Sequence, residues 1–315
     1  MRRYGGTMQV VSLQQELQDC LEKVTSGPPV LVPTMGALHA GHEALIRQAT
    51  SHPGPTVVSL FVNPTQFAEN EDFDEYPRPR ELDLKIAEAA GADVAFCPPC
   101  EEIYPEGQRA ANATAERIAL PDLATSPGLE DLIRPHFFAG VCLVVGRLLD
   151  LVKPGICIFG EKDYQQLLVI RSMVTEKRNR FGEIEIEASP TVRDSNGLAL
   201  SSRNVHLSEQ EQAVALGIPR ALAAARACST IDEAQVTMRR ILAEHELDVD
   251  YAAIRHAEQL SPPNEEGIPL RALVAARVGG IRLIDNCAIS FEQTKTIRRD
   301  EELEDQADSD AAEAS

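Results

Sequence analysis

Short apolar runs alternate with segments of helical composition through the first 190 residues of the chain. Runs of strand length fall at 29–33, 56–62, 93–97, 155–159 and 184–188, and helix-like sequence separates them. That alternation predicts a parallel sheet covered by helices, an α/β architecture. Gly140 to Val152 is apolar almost all round and predicts a buried helix. After Pro190 the pattern changes. Asp194-Ser195-Asn196-Gly197 reads as a hairpin turn, followed by helices and by short strands near 250–256, 271–278 and 281–285. Ser208 with Glu211 and Thr230 with Glu233 have capping-box spacing and mark two helix starts. These features place a boundary near 189, between a domain over 1–188 and a smaller α+β domain over 189–291. From 292 to 315 the chain is poor in apolar residues and rich in Asp, Glu and Ala, which predicts a disordered acidic tail. Gln9 to Leu21 reads as the first structured segment, so Met8 as well as Met1 is a candidate start.

The 315 residues suffice for a large core in one or two domains. Formal net charge is −19; Asp300 to Ser315 holds eight acidic residues and no basic one, which leaves −11 on the rest. An acidic body disfavours nucleic acid as partner, because affinity there rests on Lys and Arg neutralising phosphates. The sequence has no apolar run of the ~18 residues a membrane helix needs and no signal-peptide core, so a cytoplasmic protein without a membrane partner is expected. Seven cysteines without framework spacing fit reduced thiols. Cys97-Pro98-Pro99-Cys100 has redox or zinc spacing but lacks a second pair, and reads as the loop after a strand. Cys142, Cys157, Cys228 and Cys287 sit in apolar or Ala-rich surroundings and read as small core residues.

The candidate chemistry lies where predicted strands end. His39 and His42, in the run Val32 to His42, fall between a strand and a helix. A helix N-terminus there offers free N–H groups and a positive dipole end to phosphates, and Gly36 and Gly41 allow close backbone approach. Two imidazoles three residues apart share a face, and their near-neutral pKa is expected to let them adjust charge as a transition state builds. After the next strand, Asn63 and Gln66 offer uncharged amides suited to a small hydroxy acid, although the segment taken alone reads first as an ordinary loop in which Asn63 caps a turn. Phe159 to Gln166 repeats the arrangement, with Gly160 for close approach, Lys162 as a phosphate ligand, Asp163 opening a helix that runs to about Asn179, and Gln166 one turn along. Ser201, Ser202 and Arg203 form a compact oxyanion ligand just past the boundary, where a second domain could close over phosphates.

Together these motifs resemble the pantothenate synthetases, or pantoate–β-alanine ligases. The similarity spans about Met8 to Phe291 and rests on Pro33 to His42, Phe61 to Phe67, Tyr76-Pro77-Arg78, Phe159 to Gln166, Ser201 to Asn204 and Arg282-Leu283-Ile284-Asp285-Asn286. His-x-Gly-His alone is shared with nucleotidyl transferases and class I aminoacyl-tRNA synthetases; its combination with the other segments is far more specific. The resemblance implies a Rossmann-like parallel-sheet domain with a smaller lid, and a homodimer. It implies that ATP drives condensation of (R)-pantoate with β-alanine to pantothenate through a pantoyl adenylate, with Mg²⁺ present and with release of AMP and pyrophosphate. Coenzyme A precursor synthesis would be its setting. The catalytic group would comprise His42 as proton donor, His39 and Lys162. ATP would lie against Met35-Gly36-Ala37-Leu38-His39-Ala40-Gly41-His42, Gly160-Glu161-Lys162-Asp163, Val192 and Leu200-Ser201-Ser202-Arg203. Gln66, Gln166 and Asn63 would hold pantoate, Gln66 would also meet β-alanine, and Asp83 would sit at a Mg²⁺-associated position. Two departures stand out. Leu200 occupies a position that is often Met, and in Arg134-Pro135-His136-Phe137-Phe138-Ala139-Gly140 the histidine comes one residue early, with Phe137 in its usual place. Two alternatives remain at this stage: a nucleotidylyltransferase that never makes an amide, and a catalytically silent ATP-binding regulator.

Overall fold

The computed structural model describes residues 7–23, 26–68, 71–263 and 267–291. Six strands build the larger sheet: β1 (Gln9–Val11), β2 (Val30–Thr34), β3 (Thr56–Leu60), β4 (Val94–Phe96), β5 (Ile156–Gly160) and β6 (Glu185–Ser189). They lie in the order β1-β4-β3-β2-β5-β6, and every neighbouring pair is parallel. The apolar runs form strands because both faces are covered: Val30, Leu31, Val32, Val57 and Val58 are all buried. One strand escaped the sequence pattern. β1 is three residues long, on the sheet edge, with only Val11 buried, too little to stand out as an apolar run.

From β2 the chain winds to one side through β3 and β4, and from β5 it winds to the other through β6. The reversal therefore lies between β2 and β5, whose carboxyl ends open side by side into a crevice, the place where such sheets bind ligands. Thr34 leads from β2 into the histidine motif, and Gly160 leads from β5 into the Lys162 motif. The sheet topology thus joins two segments far apart in the chain. The apolar stretch expected at Gly140 forms the helix Phe137–Val152, buried along most of its length under the sheet. Gly140 is obligatory there, since a Cβ would lie 2.2 Å from the carbonyl oxygen of Thr65.

The second sheet is antiparallel, with β7 (Asp248–His256), β8 (Leu270–Val278) and β9 (Ile281–Ile289) in that order. Helices Gly217–Ala225 and Ile231–Glu244 cover it, and Ala221, Leu222, Met238, Leu242, Ile254 and Val274 fill its own core. Asp194-Ser195-Asn196-Gly197 makes the expected turn, closed by a bridge between Arg193 and Ala199. β9 runs four residues past the expected 285, because Asp285 and Asn286 interrupt the apolar pattern yet keep their pairing with Val274 and Leu273. The helix after Asp163 ends at Glu176 rather than near Asn179, since Lys177 leaves helical geometry before a short turn at Arg178–Phe181. Ser208 and Glu211 form the full capping box, whereas Glu233 accepts from Ser229 N–H instead of Thr230 N–H. The expected tail at 292–315 lies outside the described residues. No helix among the described residues is long and apolar enough to cross a membrane.

Candidate active site

The loop after β2 is built around a carboxylate. Gly36 (φ +85°) and Ala37 (φ +51°) both adopt left-handed backbone, which turns the N–H groups of Ala37 and Leu38 onto Asp83 at 2.9 and 2.7 Å. A side chain at Gly36 would meet Asp83 Oδ2 at 2.9 Å, so the loop closes on the carboxylate only with glycine there. Asp83, only 3% exposed, stands behind the loop and outside the cavity wall. The carboxylate expected at a Mg²⁺-associated position is thus engaged by backbone N–H groups. Its oxygens shape the histidine loop, and among the described residues no group of three His, Cys, Asp or Glu is arranged to hold an ion.

The histidines cap the helix Ala40–Thr50 reciprocally. His39 Nδ1 accepts from the Gly41 N–H at 3.1 Å, and His42 Nδ1 accepts from the His39 N–H at 3.3 Å. A neutral imidazole accepting at Nδ1 carries its proton on Nε2, so both rings offer an N–H at that atom. The rings lie 4.1 Å apart, centroid to centroid. Burial, then the Lys162 ammonium, pushes His39 down to about 4. Burial, then His39 and Lys162, pushes His42 down to about 3. The expected near-neutral titration is thereby overturned: at neutral pH both are uncharged hydrogen-bond donors, because a second positive charge in this enclosed corner is strongly disfavoured.

At the end of β3, Asn63 caps a short turn. Its Oδ1 accepts from the Thr65 N–H, the Thr65 hydroxyl and the Tyr104 hydroxyl, the last at 2.7 Å. Its Nδ2 donates to Gln66 Oε1 at 3.0 Å and to the Gly140 carbonyl at 3.2 Å. Asn63 touches the cavity wall but is 1% exposed, and its polar atoms are committed to protein partners. It caps the turn, as its alternative reading expected, and it orients Gln66. With Oε1 held, Gln66 presents its Nε2 donor, whose protein partner is the weak acceptor Met35 Sδ at 3.1 Å.

His39, His42, Gln66, Lys162, Gln166 and Arg203 all face one cavity of about 1000 Å³. Met35, Gly41, Gly160, Asp163, Val192, Leu200, Ser201 and Ser202 complete the expected nucleotide wall. Gly36, Ala37 and Leu38 of the loop, Ala40 at the helix start and Glu161 in the turn after β5 carry it without lining the cavity. Lys162 is largely buried, with its ammonium 3.8 Å from Asp163. Ser201 caps the turn Ser202–His206 by accepting from the Arg203 N–H. Arg203 forms a two-point pair with Asp72 at 2.8 and 3.0 Å, and Arg134 does the same with Glu71 at 2.7 and 2.6 Å. The Tyr76 hydroxyl meets Ser202 at 3.2 Å, while Arg78 donates to the carbonyls of Phe73, Asp74 and Tyr76. The acidic loop that borders this cavity was not legible in the sequence, because its arginine partners lie 63 and 131 residues away. At the displaced histidine, His136 is exposed on the cavity wall, and the Phe137 ring packs under the Arg134 guanidinium at 4.0 Å.

The two units meet at a buried ionic contact. Arg282 of β9 grips both oxygens of Glu130 at 2.7 and 2.8 Å, Tyr251 of β7 donates to Glu130 at 2.8 Å, and Arg282 Nε reaches Asp250 at 2.6 Å. Burial works against the Arg282 cation, but Glu130 and Asp250 outweigh it and raise its pKa.

Residues 9–288 match the family model for pantoate-β-alanine ligase. The chain is 44% identical over 269 residues to the pantothenate synthetase of Geobacter sulfurreducens, covering 84% of this chain and 91% of that one. It is 43% identical over 289 residues to that of Rhizorhabdus wittichii, covering 90% and 99%. Among solved structures it resembles pantothenate synthetase from Thermus thermophilus, with a TM-score of 0.80 at 39% identity over 90% of this chain and 100% of that one. The pantoate-β-alanine ligase of Francisella tularensis, complexed with β-γ ATP and β-alanine, gives 0.72 at 30% identity over 89% and 97%.

Proposed function

The chain belongs to the pantoate–β-alanine ligase family, and from that premise we propose that it condenses (R)-pantoate with β-alanine in two steps at the cavity between β2 and β5. In the first, a carboxylate oxygen of pantoate attacks the α-phosphorus of ATP and pyrophosphate leaves. A carboxylate is a poor acyl donor because oxide is a poor leaving group, and joining it to AMP replaces oxide by a phosphate ester. In the second, the amine of β-alanine, unprotonated, attacks the acyl carbon and AMP departs with the original carboxylate oxygen. The product is pantothenate, a coenzyme A precursor.

The observation that carries this reading is the pair of neutral imidazoles, both with Nδ1 engaged by backbone N–H groups, in one wall with Lys162. Fixed Nε2–H donors stabilise charge accumulating on the phosphates without having to reorganise, the most effective form of electrostatic catalysis. Lys162 adds the positive charge, and Ser201, Ser202 and Arg203 receive the phosphates from the facing side. Arg203 must share or exchange Asp72 for phosphate when ATP enters, because its guanidinium is already engaged at two points. Gln66 and Gln166 hold pantoate, and Gln66 also borders the β-alanine position. The smaller antiparallel unit serves as a lid that keeps water from the mixed anhydride. A cytoplasmic homodimer using Mg·ATP completes the proposal.

Product analysis tests it. Protein incubated with Mg·ATP, pantoate and β-alanine, each omitted in turn, is expected to give pantothenate and AMP in equal amounts only with all three. An AMP-bearing final product would instead identify a nucleotidylyltransferase.

A further inference from the structure

β9 carries two polar residues that the apolar pattern of a strand does not call for, and one of them reaches across to the catalytic loop. Asn286, 3% exposed, donates its Nδ2 hydrogens to the backbone carbonyls of Glu161 at 3.0 Å and Lys162 at 2.9 Å. Its Oδ1 accepts from Arg271 Nε of β8 at 2.7 Å. Arg271 is fixed in turn: its guanidinium stacks on the Tyr164 ring at 4.0 Å and approaches Glu161 Oε2 at 3.4 Å. The adjacent Asp285 takes both ends of Arg193, at 2.6 and 2.8 Å, at the start of the turn that leads to Ser201–Arg203. The Glu161–Asp163 turn has no side-chain cap of its own. Its grip on β9 is therefore the side-chain anchor the structure gives it, and it comes from the other sheet.

We propose that Asn286 is a positioning residue for Lys162: by binding the Glu161 and Lys162 carbonyls, it fixes where the lysine ammonium meets the phosphates. Arg271 keeps the Asn286 amide in the one orientation that points both donors at the loop. A rigid residue on a paired strand is suited to this task, since a displacement of about 1 Å at a charged group can cost about 100-fold in rate. The proposal rests on Lys162 as the phosphate contact, and it adds that the lid strand sets the catalytic geometry as well as covering it.

The test is a double-mutant cycle with Asn286→Asp and Lys162→Ala. Asn286→Asp keeps the shape and the acceptor for Arg271, but sets an oxygen against two carbonyls. A fall in kcat of about tenfold or more is expected, with KM for pantoate unchanged, because Gln66 and Gln166 are untouched. In the Lys162→Ala background the same change should cost no more than about twofold. Equal losses in both backgrounds, or a folded Asn286→Asp with the wild-type rate, would overturn the proposal. Wild-type kcat and ATP dependence in Lys162→Ala alone would instead refute the reading of Lys162 on which it depends. If Asn286→Asp does not fold, Asn286→Ser, with one donor in place of two, carries the same cycle and the same criteria.

Discussion

Replacing Asp83 by Asn separates a structural carboxylate from a metal ligand. In the native loop the carboxylate receives two backbone N–H groups, from Ala37 at 2.9 Å and Leu38 at 2.7 Å, while almost wholly buried. The amide can accept from one of them and must turn its own NH₂ toward the other. A stranded buried N–H costs about 1–3 kcal/mol, and loss of a charged acceptor weakens the remaining bond, so about 3 kcal/mol is expected in all. At about 2 °C per kcal/mol for a chain of this size, the melting temperature should fall by about 6 °C. The left-handed turn at Gly36 and Ala37 loses its clasp, and His39 and His42 at its far end lose their fixed placement, so kcat falls too. Calorimetry and a magnesium titration of activity measure the two effects on one sample. The reasoning is refuted if melting is unchanged while the Mg²⁺ needed for half-maximal activity rises about tenfold, the signature of a lost ligand.

Other expectations follow from the same geometry. His42→Ala should lower adenylate formation by about 100-fold or more with the fold retained, and pyrophosphate release measured without β-alanine tests this. Both histidines are held below their ordinary value of 6.5, so the unfolded chain binds their protons first. Stability should therefore decline as pH drops from about 6.5 toward 3, and above that window these rings contribute no pH dependence to kcat. A kcat ionisation near 6.5 that disappears in His42→Ala would contradict this. Glu130→Ala leaves the Tyr251 hydroxyl without its acceptor and Arg282 with Asp250 alone, and should destabilise by about 2–3 kcal/mol in urea unfolding. Arg203→Ala should raise KM for ATP about tenfold while leaving KM for pantoate near wild type, as steady-state titration of each substrate will show.

What could be read from sequence was what repeats or stays local. Val30 to Val32 declared a buried strand, the glycines and histidines after it declared a strand-to-helix turn, and the shift after Pro190 declared a second kind of unit. Long-range polar pairing stayed hidden. Asp83 was named through the resemblance alone, and its partners, backbone amides 45 and 46 residues away, could not be read from the sequence. Asn63 looked like a ligand although folding fills its hydrogen-bonding capacity from Thr65, Gln66, Tyr104 and Gly140. Asp285 and Asn286 shortened the expected β9, since two polar residues in a strand make sense only once Arg193 and the Lys162 loop are seen beside them. The histidine pKa values were misjudged for the same reason: burial and the charge of Lys162 arise from the fold.

The central claim is acyl activation by adenylate formation, and oxygen tracing tests it most directly. Pantoate labelled with ¹⁸O in its carboxylate is converted with Mg·ATP and β-alanine, and the nucleotide and phosphate products are weighed by mass spectrometry. Attack at the α-phosphorus predicts one labelled oxygen in AMP and none in pyrophosphate. Label in inorganic phosphate, with ADP as the nucleotide product, would mean attack at the γ-phosphorus and would contradict the account.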